Sequence, residues 1–177
     1  ANMFSLFFLG NFLEKIIGRK RFFWLYLVAG ILGSLFFVGA GFIFSNLTTP
    51  AVGASGALFG LLGVLAVLVP YSKIYLILGP LVLLVADAFA GRFLSANVYG
   101  VVSVLINIFI FVMIFSLFSF NRKLRRVAMP VELPMWVLPI MAIVPLVVIS
   151  YFIPLPIGNS AHIGGLIVGL IYGFYFY

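Results

Sequence analysis

The sequence predicts an all-α polytopic membrane protein of about seven apolar helices, and three observations carry that prediction. Hydrophobic residues fill 66% of the 177 positions and charged residues 7%, with a mean hydropathy of +1.36; soluble domains hold about 45 to 50% and about 25%. At least six apolar stretches follow one another. A bilayer crossing takes roughly 20 residues, so nearly all the chain is used in spanning and no soluble domain or linker remains. The basic residues fall almost entirely at alternate junctions, which is the pattern that orients membrane helices.

Taken in order, the apolar runs predict helices over about 1–17, 22–46, 54–69, 73–91, 98–120, 133–153 and 159–177. Their boundaries are turn or charge signals: Gly18 to Arg21, Asn46 to Pro50, Pro70 to Lys73, Gly91 to Asn97, Asn121 to Glu132 and Pro154 to Asn159. The first run is short, and its opening ANMF inside apolar sequence reads as a helix cut near its start, with a segment upstream missing. The run 73–91 is the weakest, since Gly79 and Pro80 interrupt it and Asp87 adds a charge. A single span between Pro70 and Pro154 would keep the same parity.

The net charge of +7 does not indicate nucleic acid, because the basic residues occupy short loops instead of an extended wet surface. Lys15, Arg19, Lys20 and Arg21 lie at the first junction, Lys73 at the third, and Arg122, Lys123, Arg125 and Arg126 at the fifth, leaving Arg92 alone on the other side. That bias assigns the first group to the cytoplasm. It also brings the starts of two helices, at Ser55 and at His162, to similar depth below the outer face. The chain has no cysteine, so disulfides and thiol chemistry are excluded.

Ser55 lies in the string GASG, Gly53 to Gly56, and the single histidine, His162, in AHIGGLIVG, Ala161 to Gly169. A polar side chain at membrane depth is costly unless it is paired or lines a wet cavity, which makes both residues functional candidates. A serine hydroxyl becomes a useful nucleophile when a neutral imidazole accepts its proton. Gly53 and Gly56 allow a tight turn and close substrate approach, and backbone N–H groups at a helix start could bind an oxyanion. Small-residue helix packing also accounts for GASG, and a structural hydrogen bond also accounts for a lone membrane histidine. Ala161, Gly165, Gly169 and Gly173 recur every four residues, and Gly56, Gly60 and Gly63 give the serine helix a matching smooth stripe. Two such faces permit the close approach a Ser–His pair requires. Phe59, four residues after Ser55, could stack on the imidazole or simply fill space.

GASGALFG followed by AHIGGLIVG resembles the rhomboid intramembrane proteases, whose patterns are GxSG and AHxxGxxxG on adjacent helices. Asn2 followed by Met3 resembles the end of that family's HxxxN element, and Gly10, Glu14 and Gly18 match the spacing that often follows it. The resemblance implies a rhomboid-like helical bundle over 1–177 as a single membrane domain. It implies Ser55 as nucleophile, His162 as general base, Asn2 and the backbone near Ala54 and Ser55 as oxyanion donors, and Phe59 as the ring on His162. Gly53, Gly56, Gly165 and Gly169 would support the site, and Glu14 would be structural near the cytoplasmic end. The expected function is intramembrane serine endopeptidase, with no cofactor, and the expected partners are transmembrane protein substrates and the lipid bilayer. Local unwinding of the substrate must precede cleavage, because a helical carbonyl is already hydrogen-bonded. Water is expected to enter through a cavity lined by Ser55, His162 and polar groups near Asn46 to Thr49 or Asn159 and Ser160.

The chain departs from the family pattern in three respects. The HxxxN histidine and the helix and loop before it would precede Ala1, and loss of one oxyanion donor costs about 100-fold to 1000-fold in rate. Residues 71–153 hold room for three helices where the basic rhomboid core has one, so 75–125 reads as an inserted helical hairpin. The acidic residues are Glu14, Asp87 and Glu132 alone, of which only Asp87 is expected on the outer side. Asp87 could orient His162; a water-filled crevice or a helix cap suits it better, since the rhomboid arrangement is a dyad. One histidine and three scattered acids cannot supply a catalytic zinc, so no metal is implied. The alternative function is a non-catalytic rhomboid-like protein that binds transmembrane segments, against which the intact Ser55 and His162 argue. A transporter or channel would show an internal repeat or paired intramembrane charges, and neither is visible. The basic cytoplasmic loops make a plasma or envelope membrane the expected location.

Overall fold

Long apolar runs punctuated by glycine and proline have few ways to satisfy their backbone in lipid, and helices dominate the result. The computed structural model describes residues 2–43, 54–116, 128–152 and 158–176. Two compact units emerge: Ala1–Ser72 with Pro134–Val148 and Leu155–Tyr177, and Lys73–Leu133 with Ile149–Pro154.

In the first unit, the opening helix is Asn2–Ser5, a π turn at Leu6–Gly10, then Asn11–Ile17. The unbroken helix expected over 1–17 is therefore interrupted. Asn11 follows the π turn: its amide Nδ2 donates to the Phe7 carbonyl at 2.6 Å, while its backbone N–H is shared between the carbonyls of Phe7 and Phe8. Gly18 ends this helix at φ 83°, a left-handed value that glycine adopts without strain. The next helix, Arg19–Ile43, begins at once and carries the basic residues in its first turn, three residues earlier than the expected start at 22. At 25 residues, apolar beyond the basic first turn, it is long enough to cross a bilayer.

The serine helix, Ser55–Leu68, is the centre of this unit, with every residue from Gly56 to Leu65 buried. The Arg19–Ile43 helix and the histidine helix, Asn159–Phe176, both pack on it and on each other. Leu61, Val64 and Leu65 are fully enclosed, as is Leu25 from the long helix. In lipid such contacts stabilise through close packing, since burial from water offers little between helices already in hydrocarbon. A 3-10 turn, Met135–Val137, leads into the helix Leu138–Phe152, which accommodates Pro145. Met135 and Trp136 donate their backbone N–H groups to the carbonyls of Ser72 and Pro70 at 2.9 and 3.3 Å.

In the second unit the expected helix over 73–91 begins as a strand. β1, Lys73–Ile77, pairs with β2, Pro130–Pro134, and the helix Leu78–Phe93 follows with Pro80 in its first turn. β2 displaces the start of the helix expected at 133. Alternating β-branched and aromatic residues in KIYLI favour extended backbone, and Pro80 is tolerated only where no earlier turn needs its N–H. An all-α reading therefore needs this one small sheet added. Glu132 on β2 accepts hydrogen bonds from Tyr75 Oη at 2.5 Å and Lys73 Nζ at 3.1 Å. Helix Ala96–Ser116 packs against Leu78–Phe93. Gly91 receives the Tyr99 ring and Gly79 the Met113 thioether, an added Cβ falling 3.1 Å from the ring and 2.8 Å from the sulfur. Arg122 to Arg126 lie outside the described residues.

Candidate active site

Ser55 is the first residue of its helix, after Ala54 at the N-cap position. His162 is in the first turn of its own helix, where its backbone N–H donates to the Gly158 carbonyl at 3.2 Å. Two helix N-termini thus meet here, each presenting N–H groups without intrahelical partners and a partial positive charge. That field favours an anion at the serine end.

What allows the approach is the absence of side chains. A methyl group at Gly165 would overlap the Gly56 carbonyl, and one at Gly169 the Gly60 carbonyl. At Gly63 it would stand 2.7 Å from the Leu166 carbonyl oxygen. Backbone therefore packs on backbone along the whole pair, as the four-residue glycine spacing anticipates. Gly56 faces Ala161 in the same way, the added carbon falling 3.2 Å from the Ala161 oxygen.

The consequence is that Ser55 Oγ and His162 Nε2 lie 2.7 Å apart, within hydrogen-bond distance. Phe59 stacks on the imidazole, ring centres 4.5 Å apart and planes 24° from parallel. The histidine side chain is 6% exposed, and its Nδ1 has no hydrogen-bond partner among the described residues. For Nε2 to accept the serine proton, Nδ1 must carry the ring's own. Phe59 and the helix contacts therefore orient the ring.

The remaining sequence candidates are distributed as follows. Asn2 is half-buried at the start of the first helix, which touches the serine helix. Gly53 and the expected cavity wall at Asn46 to Thr49 lie outside the described residues. Asp87 belongs to the Leu78–Phe93 helix of the second unit, with Oδ1 buried and unbonded among the described residues. Glu14 accepts the Gly18 N–H at its backbone carbonyl, 2.8 Å away, where the first helix ends. Sequence reasoning overlooked Ala29 and Gly33 of the long helix. Ala29 lies against Gly60, and a methyl group at Gly33 would reach to 2.9 Å from the Ala161 oxygen. Their signal was present, since Leu25, Ala29 and Gly33 recur every four residues and are all buried.

A family model for the Rhomboid domain matches residues 1–109 and 94–177. Over 80 residues, 45% of this chain and 23% of the relative, the sequence is 40% identical to Rhomboid protein 1, mitochondrial, of Saccharomyces cerevisiae. Over 64 residues, 36% of this chain and 11% of the relative, it is 45% identical to Rhomboid protease GluP of Bacillus subtilis. The matched stretches thus span less than a quarter of either relative. No solved structure matches the chain significantly.

Proposed function

The chain belongs to the rhomboid family of multi-pass membrane proteins, and on that premise we propose that it is an intramembrane serine endopeptidase acting through Ser55 and His162. The observation that carries the reading is the 2.7 Å approach of His162 Nε2 to Ser55 Oγ at two facing helix N-termini, beneath the Phe59 ring. The name of the Bacillus subtilis relative, a rhomboid protease, supports it.

In this mechanism His162 removes the Ser55 proton as Oγ attacks the scissile carbonyl carbon, giving a tetrahedral oxyanion. Asn2 and the N–H groups near Ala54 and Ser55 stabilise that charge. No side-chain hydrogen bond occupies Asn2 among the described residues, so its amide is available to donate. His162 then passes the proton to the leaving amine, which departs with the C-terminal part of the substrate. Water, deprotonated by His162, attacks the acyl ester and returns Ser55 to its hydroxyl form. The substrate is a transmembrane helix of another protein, unwound near the scissile bond. Gly56, Gly165 and Gly169 act by holding the two helices close enough for proton transfer.

The segment near 75–125 is best read as an inserted helical hairpin within one rhomboid-like domain over 1–177. The helices Leu78–Phe93 and Ala96–Ser116, which pack against each other, support this reading. The distribution of Lys and Arg supports a plasma membrane orientation with Ser55 toward the outer face.

Mass-spectrometric detection of Ser55 labelling by a fluorophosphonate, in detergent and in lipid, tests the proposal. Labelling is expected, and His162→Ala should abolish it while leaving thermal melting unchanged. An unlabelled Ser55 in folded protein with an accessible site would overturn the enzyme reading in favour of non-catalytic binding of transmembrane segments.

A further inference from the structure

From Gly100 to Phe115 the helix Ala96–Ser116 contains two polar residues, Ser103 and Asn107. Asn107 stands one residue from the midpoint of a helix long and apolar enough to cross a bilayer. Its Nδ2 donates within its own helix, to the Ser103 carbonyl at 2.8 Å, and reaches Ser103 Oγ at 3.3 Å. Its Oδ1 accepts no hydrogen bond among the described residues, and the side chain is exposed. Hydrocarbon offers such an acceptor no donor.

Asn107 is also central to an ordered surface. Gly100, Val104, Asn107, Phe111 and Ile114 follow the 4-3-4-3 spacing of a left-handed helix seam, and all five are exposed. This seam is distinct from the face that holds Tyr99 and Met113 against the preceding helix. A methyl group at Gly100 would meet nothing within 4 Å, so the upper part of the seam is open to close approach.

We propose that this seam pairs with the same seam of a second copy of the chain, the two Asn107 side chains exchanging hydrogen bonds across a two-fold axis along the membrane normal. Three features select this occupant. Copies inserted with the same topology carry Asn107 at the same depth, so the amides meet without adjustment. A carboxamide is self-complementary: the N–H now making the longer contact to Ser103 Oγ turns to the partner copy's Oδ1, and the reverse bond forms by symmetry. A lipid chain or an apolar helix would leave Oδ1 unpaired. A single polar residue within an apolar seam also fixes register, since any slip separates the pair.

The absence of cysteine makes the test direct. Single variants Val104→Cys and Phe111→Cys on the seam, and Val101→Cys and Val112→Cys off it, are oxidised in phosphatidylethanolamine–phosphatidylglycerol vesicles. Cross-linked dimer is expected at 104 and 111 and little at 101 and 112. Energy transfer between labelled copies, followed as lipid is added, should show Asn107→Leu weakening the dimer about 5-fold to 30-fold, the range of one or two membrane hydrogen bonds. Asn107→Gln should restore most of it. A monomer at every protein-to-lipid ratio, equal cross-linking at the four positions, cross-linking to other proteins only, or a dimer indifferent to Asn107→Leu would each overturn the proposal.

Discussion

The serine helix and the helix Ala96–Ser116 are both apolar along almost their whole length, yet ten consecutive residues of the first are buried while Met113 alone is buried in the second. The difference lies in the residues that make contact. The serine helix meets its neighbours through glycine and alanine, so backbones touch on several sides. Helix Ala96–Ser116 meets its neighbour through the larger Tyr99 and Met113, fitted over glycines of the opposite helix, and leaves most of its circumference outward. Hydrophobicity alone separates neither case; the size of the side chains at the contact does.

The largest expected effect that sharpens this contrast is chemical. Ser55→Ala should lower cleavage of a transmembrane substrate by at least about 10,000-fold, with no change in melting temperature, because the side chain is small and its removal leaves the glycine contacts intact. Asn2→Ala should lower kcat by about 100-fold to 1000-fold, again with little effect on melting; an effect confined to KM would remove Asn2 from the oxyanion site. Valine substitutions then separate the two packing modes. Gly165→Val, forced against the Gly56 carbonyl, should destabilise by about 1–3 kcal/mol or more and abolish Ser55 labelling, whereas Gly100→Val, which meets nothing of its own chain within 4 Å, should change the stability of the detergent-dispersed monomer by less than about 0.5 kcal/mol. Equal melting temperatures for these two variants would break the comparison. Asp87→Asn should leave cleavage near normal, and a loss approaching that of Ser55→Ala would bring Asp87 into the site.

The smallest effect concerns the β ribbon. The Tyr75 hydroxyl, and then the Lys73 ammonium, hold the Glu132 carboxyl below its ordinary pKa, and Glu132 raises that of Tyr75 in return. A lowered folded-state pKa stabilises above the unfolded value and is lost as the pH falls through the folded one. Glu132→Gln should therefore lower melting slightly at pH 7, the difference closing as the solution is acidified below the carboxylate range. The groups are exposed, so screening by salt keeps the effect small.

The parts legible in the sequence are those written in local spacing. The four-residue recurrence of Gly165, Gly169 and Gly173, set against Gly56, Gly60 and Gly63, announces two faces able to touch, and the only histidine falls on one of them. The family was readable from the same strings. The ribbon was not, because its strands lie more than fifty residues apart in sequence and β1 is continuous with an apolar run that favours a helix. The π turn was equally hidden, because a local change of backbone hydrogen-bond register leaves no mark in side-chain periodicity.

The serine helix has 14 residues, about 21 Å at 1.5 Å per residue, against roughly 30 Å of hydrocarbon. A lipid-facing helix so short would draw the bilayer inward or tilt its neighbours. This one is sheathed by protein from Gly56 to Leu65, so acyl chains never sense its length. It behaves as a ruler graduated in residues: the nucleophile keeps a fixed distance from Leu68 whether the surrounding membrane is thick or thin. Adding one residue to it would raise Ser55 by about 1.5 Å and swing it by roughly 100° away from His162.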